Sequence, residues 1–295
     1  MLPAIATALL FAVSAASAAR TTKALGPVPA NLARLSLAAV WLGLWAHTFG
    51  SGLRGPGLGW MIASGIVGFG LGDLALYAAL PRLGAHLAVL ITQCLAMPIG
   101  TLLEWAWVGT ALTIQQWLAS ILILIGIGIA LWPGRQAQSH RTKAGWVLAV
   151  LAAAGQAGGA VISRKAYMLQ SGLAIDGGTA AYQRIIGGLP VLMGWALTQA
   201  IVHPDNRRIS KTTWRDKWPW VVVNSISGPA LGVACYQWAL SVAPTGIVLA
   251  IVAMTPLAVI PIEFMLTGRR PSRLSLVGGL VAIAGAIGLG LTKGH

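Results

Sequence analysis

Three carboxylates, Asp73, Glu104 and Glu263, and two guanidinium groups, Arg34 and Arg184, stand inside long apolar stretches of this chain. A charge near the centre of a bilayer costs about 2.5–3.5 kcal/mol on insertion scales, so each such group should be paired or should line a watery cavity. Asp73 is the deepest acid, and Tyr77 shares its helix face one turn on. It reads as a protonatable or cation-pairing group in a central cavity, or as a buried partner for Arg34. Glu104 and Glu263 sit a turn before the ends of their stretches. They read as a symmetric pair of gating or proton-coupling carboxylates, or as interfacial acids reaching water. Arg34 and Arg184, near the starts of theirs, would meet the acids, lipid headgroups or an anionic substrate.

Uncharged polar residues in the same stretches form a candidate substrate lining. Asn224, Ser227 and Leu231 fall on one face at helical spacing, with Tyr236 and Gln237 further along. Gln93, Gln156 and Tyr182 could join them, and interhelical hydrogen bonding is the other use for such side chains. Pro98 and Pro256 are candidate gating kinks, since proline removes a helix hydrogen bond. Thr255 beside Pro256 has a hydroxyl that can re-satisfy the backbone. Pro190, Pro229 and Pro261 interrupt other stretches. Scattered histidines, two cysteines within apolar segments (Cys94 and Cys235), and the lack of a phosphate loop or nucleophile elbow point to no metal, no cofactor, no disulfide and no catalytic residues.

The elements that must position these groups are membrane helices. The chain has 295 residues, of which 57% are hydrophobic and 9% charged, and its mean hydropathy is +0.78. Soluble domains carry about 25% charged residues, so a soluble enzyme is excluded, and so is disorder. A spanning helix needs about 20 apolar residues. Stretches of that kind fall near 3–20, 30–49, 58–80, 84–107, 114–132, 145–166, 178–202, 217–241, 245–267 and 274–291. The first ends in small residues, as a secretory signal would. No basic residue precedes it and it has a counterpart in the second half, so it is expected to be a retained helix.

The net charge of +14 does not imply nucleic acid, because the basic residues flank apolar segments, where they set topology and meet anionic headgroups. Apart from Arg34 and Arg184, 14 of 18 Lys and Arg residues lie on the side opposite the termini. The positive-inside rule therefore places both termini outside. Of the 13 tryptophans, those near segment ends read as interfacial anchors. An aromatic box among the others could hold a quaternary ammonium.

A repeat is visible. Residues 68–80, GFGLGDLALYAAL, align with 228–240, GPALGVACYQWAL, at an offset of 160. At offset 159, Glu104 meets Glu263, Gly109 meets Gly268 and Gly126 meets Gly285. The chain therefore reads as an all-α integral membrane protein of ten helices, in two five-helix units. These cover 1–133 and 144–295, with a polar linker at 134–143. An odd number of spans per unit gives the units opposite orientations, the arrangement of secondary transporters with a substrate site between the halves.

Arg34, Gly72-Asp73, Ala79-Leu80, Met97-Pro98 and Gly109, with Arg184, Gly232, Thr255-Pro256 and Gly268 in the second half, resemble the EamA-type ten-helix members of the drug/metabolite transporter superfamily. That family often has a Gly-Glu pair after each fourth helix. Here the glycine remains and the acid is replaced by Thr110 and Arg269. The resemblance implies carriage of small metabolites such as amino acids, and termini in the cytoplasm. The expected protein is a multi-pass bacterial inner-membrane exporter working by alternating access. Its partners would be a small-molecule substrate and the bilayer, with proton coupling open and the oligomeric state unassigned. Organic cations are the alternative cargo, and lipid-linked flipping a more distant one.

Overall fold

In a computed structural model the chain is described over residues 1–83, 85–130, 142–169, 175–202, 211–267 and 273–291. Thirteen α-helices follow one another. They are α1 Leu2–Leu25, α2 Pro27–Thr48, α3 Leu58–Gly65, α4 Asp73–Leu83, α5 Ala85–Val108, α6 Ile114–Ala130 and α7 Lys143–Met168. The series continues with α8 Gly177–Val202, α9 Lys211–Ser225, α10 Leu231–Val242, α11 Thr245–Val252, α12 Thr255–Thr267 and α13 Arg273–Leu291. Two π-helical segments, Ile66–Gly72 and Ile226–Ala230, join α3 to α4 and α9 to α10. With α11 and α12 also end to end, the helices make ten passes, and among the described residues seven of these passes are long and apolar enough to span a bilayer.

Local chemistry sets the turns. Gly26, at φ 84°, ends α1, and Pro27 starts α2 at once. Only glycine adopts that backbone cheaply, and proline is pre-set for a first helical turn. Thr113 and Gln116 cap α6 reciprocally, each accepting the other's backbone N–H at 3.3 and 3.0 Å. Thr142 caps α7 by accepting from the Gly145 N–H at 3.1 Å.

The passes pack as two related sets of five. The second passes, α2 and α8, lie against each other, and so do the fifth, α6 and α13. The fourth pass of each half lies on the first pass of the other, α5 on α7 and α12 on α1. The third pass of each half lies on the second of the other, α3 on α8 and α9 on α2. This reciprocity is what a pseudo-two-fold axis between inverted halves requires. The π segments obey it too, starting at residues 66 and 226, the same offset of 160 seen in the sequence.

Close approach is made by residues without side chains. A Cβ on Gly155 of α7 would stand 2.6 Å from the Gly72 Cα. Small-residue contacts of this kind replace the hydrophobic driving force that lipid removes. The core gathers at one end of the bundle, around α11, all eight residues of which are buried.

Successive passes run in opposite directions, so the connections sort to two ends. The terminal end holds residue 1, residues 49–57, 109–113 and 243–244, and Leu291. The opposite, basic end holds Arg20, Lys23, Arg82, Lys143, Arg215, Lys217 and Arg273. Of the tryptophans outside the segment ends, Trp41, Trp45, Trp105, Trp107, Trp195 and Trp238 are exposed on the outer surface, and Trp117 packs against the core.

Candidate functional site

A cavity of about 280 Å³ lies between the halves. Its inner wall is Phe69 of the first π segment and Thr255 of α12, near the middle of their passes, with Arg184 of α8 and Tyr236 of α10, two turns or so from the terminal end of theirs. From there it runs toward the basic end along Arg34, Asp73, Tyr77, Val89 and Thr22. The two π segments bring Gly68, Phe69, Gly228 and Pro229 to its wall. Backbone freed from regular helical pairing is tolerated at membrane depth where it faces a cavity or packed protein.

The charges inside are Arg34, Asp73 and Arg184, so the described lining carries one excess positive charge. Arg34 is satisfied. Its Nη2 meets Asp73 Oδ2 at 2.9 Å, its Nε donates to Asn31 Oδ1 at 2.7 Å, and it lies 5.6 Å from the centre of the Tyr77 ring. Arg184 is not. It is 4% exposed, its Nε has no hydrogen-bond partner, and no described carboxylate lies within ion-pair distance of it. It rests instead on the rings of Phe69 and Tyr236, 5.1 and 5.9 Å to their centres.

The expected lining separates into groups. Asp73, Tyr77, Gln93, Gln156 and Tyr236 do face the cavity, and Gln156 Nε2 donates to Gln93 Oε1 at 2.9 Å across α5 and α7. Asn224 stands behind it, accepting from the lining residue Ser14 at 2.7 Å. Ser227 donates to its own helix at Val223. Leu231, expected on the same face as both, is exposed instead. The π turn between them is wider than an α turn and rotates everything that follows. Tyr182 packs edge-on against His47 at 5.5 Å, nearer the terminal end. Gln237 is fully buried with neither amide atom bonded. Phe11, Ser14, Phe69 and Thr92 were not singled out by sequence, being ordinary residues of apolar stretches.

The terminal end is closed by polar contacts between passes. Glu104, 2% exposed, accepts from the Thr245 backbone N–H at 2.5 Å, and its other oxygen lies 3.5 Å from Arg164 Nε. Arg164 also donates to the Leu240 and Ser241 carbonyls at 2.8 and 3.0 Å. The carboxylate thus stands inside the protein rather than reaching water. Arg164 is a residue the sequence disguises, because it looks like a flanking basic residue. Nearby, Gln183 Nε2 donates to the carbonyls of Gly52 and Arg54 at 2.9 and 3.1 Å. Asp176, in the α7–α8 connection, caps α8 and binds Trp45 Nε1 at 2.9 Å. Burial alone would raise the pKa of Asp176. The hydroxyl and N–H of Thr179, the Trp45 ring N–H and the Gly178 N–H together outweigh it and hold it below the usual carboxylate value.

Pro98 lies within α5, and α11 gives way to α12 just before Pro256, where Thr255 Oγ1 donates to the Val252 carbonyl at 2.6 Å. The side chain of Glu263, on α12, lies outside the described residues, as do Gly268, Arg269 and most of the linker at 134–143. Among the described residues no group of three His, Cys, Asp or Glu is placed to hold a metal ion.

Comparison with known proteins agrees with this architecture. No curated protein matches the sequence. One solved crystal structure of a protein is similar over 96% of this chain and 94% of its own length, with a TM-score of 0.74 at 18% identity, which speaks to the fold alone. The EamA-like transporter family matches twice, over residues 1–132 and again over 143–291. The chain therefore belongs to the EamA-like transporter family, and is a multi-pass membrane transporter of the drug/metabolite transporter type.

Proposed function

We propose that the chain is a secondary transporter that exports small metabolites such as amino acids across a bacterial inner membrane, by alternating access between halves at 1–133 and 144–295. The observation that carries this reading is the asymmetry of the central cavity. Its lining runs from Arg184 and Tyr236 to the basic end, while the terminal end is packed around α11 and held by Glu104, Arg164 and Gln183. A carrier caught with one gate shut has this form. The positive-inside rule makes the basic end cytoplasmic, so the cavity faces the compartment from which an exporter loads.

Amino acids and related carboxylates suit the cavity better than organic cations. Among the described lining residues two guanidiniums stand against one carboxylate, and none is a tryptophan. Asp73 is the group through which a proton gradient would act, since protonating it would release Arg34. The test is flux in proteoliposomes loaded with labelled amino acids, quaternary amines and lipid-linked sugars, with and without a pH gradient. Protein-dependent efflux of amino acids supports the reading. Movement of quaternary amines alone, or of the lipid-linked sugars alone, would replace it.

A further inference from the structure

We infer that the transported solute carries a carboxylate, and that this carboxylate seats on Arg184. The inference rests on the transporter reading above and names the chemistry its cavity selects.

A guanidinium cannot shed its charge at any ordinary pH. Buried without a carboxylate in contact, it is compensated only at a distance by Asp73, and proteins keep such groups where something else supplies the anion. Arg34 and Arg184 show the contrast within one cavity. Arg34 has Asp73 and Asn31. Arg184 is as deeply placed, donates to no described side chain or carbonyl, and leaves its Nε bare. The rings of Phe69 and Tyr236 soften its desolvation, and aromatic faces also hold the guanidinium plane in one orientation.

Two glycines make room for the guanidinium itself. A Cβ on Gly68 would stand 2.9 Å from Arg184 Nη2, and one on Gly159 would stand 3.3 Å from it. Those missing side chains let one end of the fork pack against the α3–α7 side of the wall. A second donor waits beside it, since the Tyr236 hydroxyl is buried and has no hydrogen-bond partner. A planar carboxylate matches the guanidinium fork with two parallel bonds. One monoanion would also cancel the single excess charge of the described lining. The rest of the solute would lie along Phe11, Leu76 and Val233, within reach of the Gln93 and Gln156 amides. Free monocarboxylates and zwitterionic amino acids share the required group.

The experiment uses the full chain in detergent and in proteoliposomes with four matched probes: leucine, isovalerate, leucinamide and isoamylamine. Thermal shift reads binding, and counterflow of the labelled compounds reads transport. Leucine or isovalerate should stabilise the protein and exchange, and the two probes without a carboxylate should do neither. Activity with leucine alone identifies amino acids as the source of the carboxylate, and activity with isovalerate identifies simple monocarboxylates. Arg184→Gln should weaken binding of the active probe at least about 30-fold, because a buried carboxylate loses its partner. The same variant should melt at the wild-type temperature or above it without ligand, since it removes an unpaired buried charge. A packing role for Arg184 predicts the opposite, a lower melting temperature with residual binding intact. Tyr236→Phe, which keeps the ring, should weaken binding several-fold. Equal flux of leucinamide or isoamylamine overturns the inference and leaves the transporter reading standing. Failure of all four probes to bind or move overturns the inference and counts against the proposed amino-acid cargo as well.

Discussion

Glu104 Oε2, near the end of α5, accepts the backbone N–H of Thr245, the first residue of α11, at 2.5 Å. This bond joins the fourth pass of one half to the fourth pass of the other at the terminal end. The same carboxylate faces Arg164, which grips the last carbonyls of α10. Four passes therefore meet at one buried acid. Removing one partner of a buried pair leaves the other charge stranded, at a cost of about 3–5 kcal/mol. Glu104→Ala should lower the melting temperature and admit water at this end. A cysteine placed at Ser241 should be labelled by a membrane-impermeant maleimide faster in that variant than in the parent. Unchanged labelling would mean that the bond does not hold the end shut.

Asp73 bridges its helix to Arg34 at 2.9 Å, facing the cavity. Asp73→Asn removes the charge and keeps the shape, so Arg34 becomes a second free cation in the wall. Net flux of the cargo should fall, and the response of flux to an imposed pH gradient should vanish. The comparison is efflux from proteoliposomes with matched and mismatched internal pH. A mutant that keeps its gradient response would make Asp73 a structural partner of Arg34 only.

Much of this arrangement was legible in the sequence because membranes make charges rare. Arg34 and Asp73 each demanded a partner, and each is the other's. The repeat was visible at an offset of 160, and the π segments fall on that register. What stayed hidden depends on side-chain direction. Arg164 sits a turn before its helix end, where a basic residue ordinarily reaches headgroups, and nothing in sequence aims it at Glu104. The π segments, one Gly-rich and the other holding Gly228 and Pro229, read as ordinary helix in the sequence, so the expected face of Asn224, Ser227 and Leu231 is broken between its second and third members. Gln237 and Tyr182 stand out in the sequence by polarity alone, which does not distinguish a cavity wall from a packed interior.

Asp176 caps α8 through the Gly178 and Thr179 N–H groups and ties that cap to Trp45 of α2. Its carboxyl is held below the ordinary value, so its contribution is full above the unfolded pKa, near about 4. It is lost as pH falls through the lower folded value. Acid titration should therefore release the Trp45 contact only well below neutral pH. Asp176→Ala should remove the acid-dependent step and cost about 1 kcal/mol at neutral pH, the usual value of an N-cap. Intrinsic fluorescence against pH, compared between parent, Asp176→Ala and Trp45→Phe, isolates the transition.

The fifth passes supply a test of the fold that leaves the cavity alone. Gly126 of α6 faces α13 so closely that a Cβ there would stand 2.4 Å from the Ala282 backbone nitrogen. Gly285, its counterpart at offset 159, faces the Ala119 carbonyl and the Ile123 backbone nitrogen, each at 2.9 Å from a built Cβ. Backbone cannot step aside as a flexible side chain can, so Gly126→Ala should force the two helices apart. Overpacking of this kind costs about 1–3 kcal/mol. The melting temperature should drop, and Gly285→Ala should drop it by a similar but smaller amount, since its clearances are larger. Because the two glycines lie in one interface, the double variant should cost less than the sum of the singles, the first separation having made room for the second. Additive losses would show instead that α6 and α13 yield independently at each glycine rather than as one rigid contact.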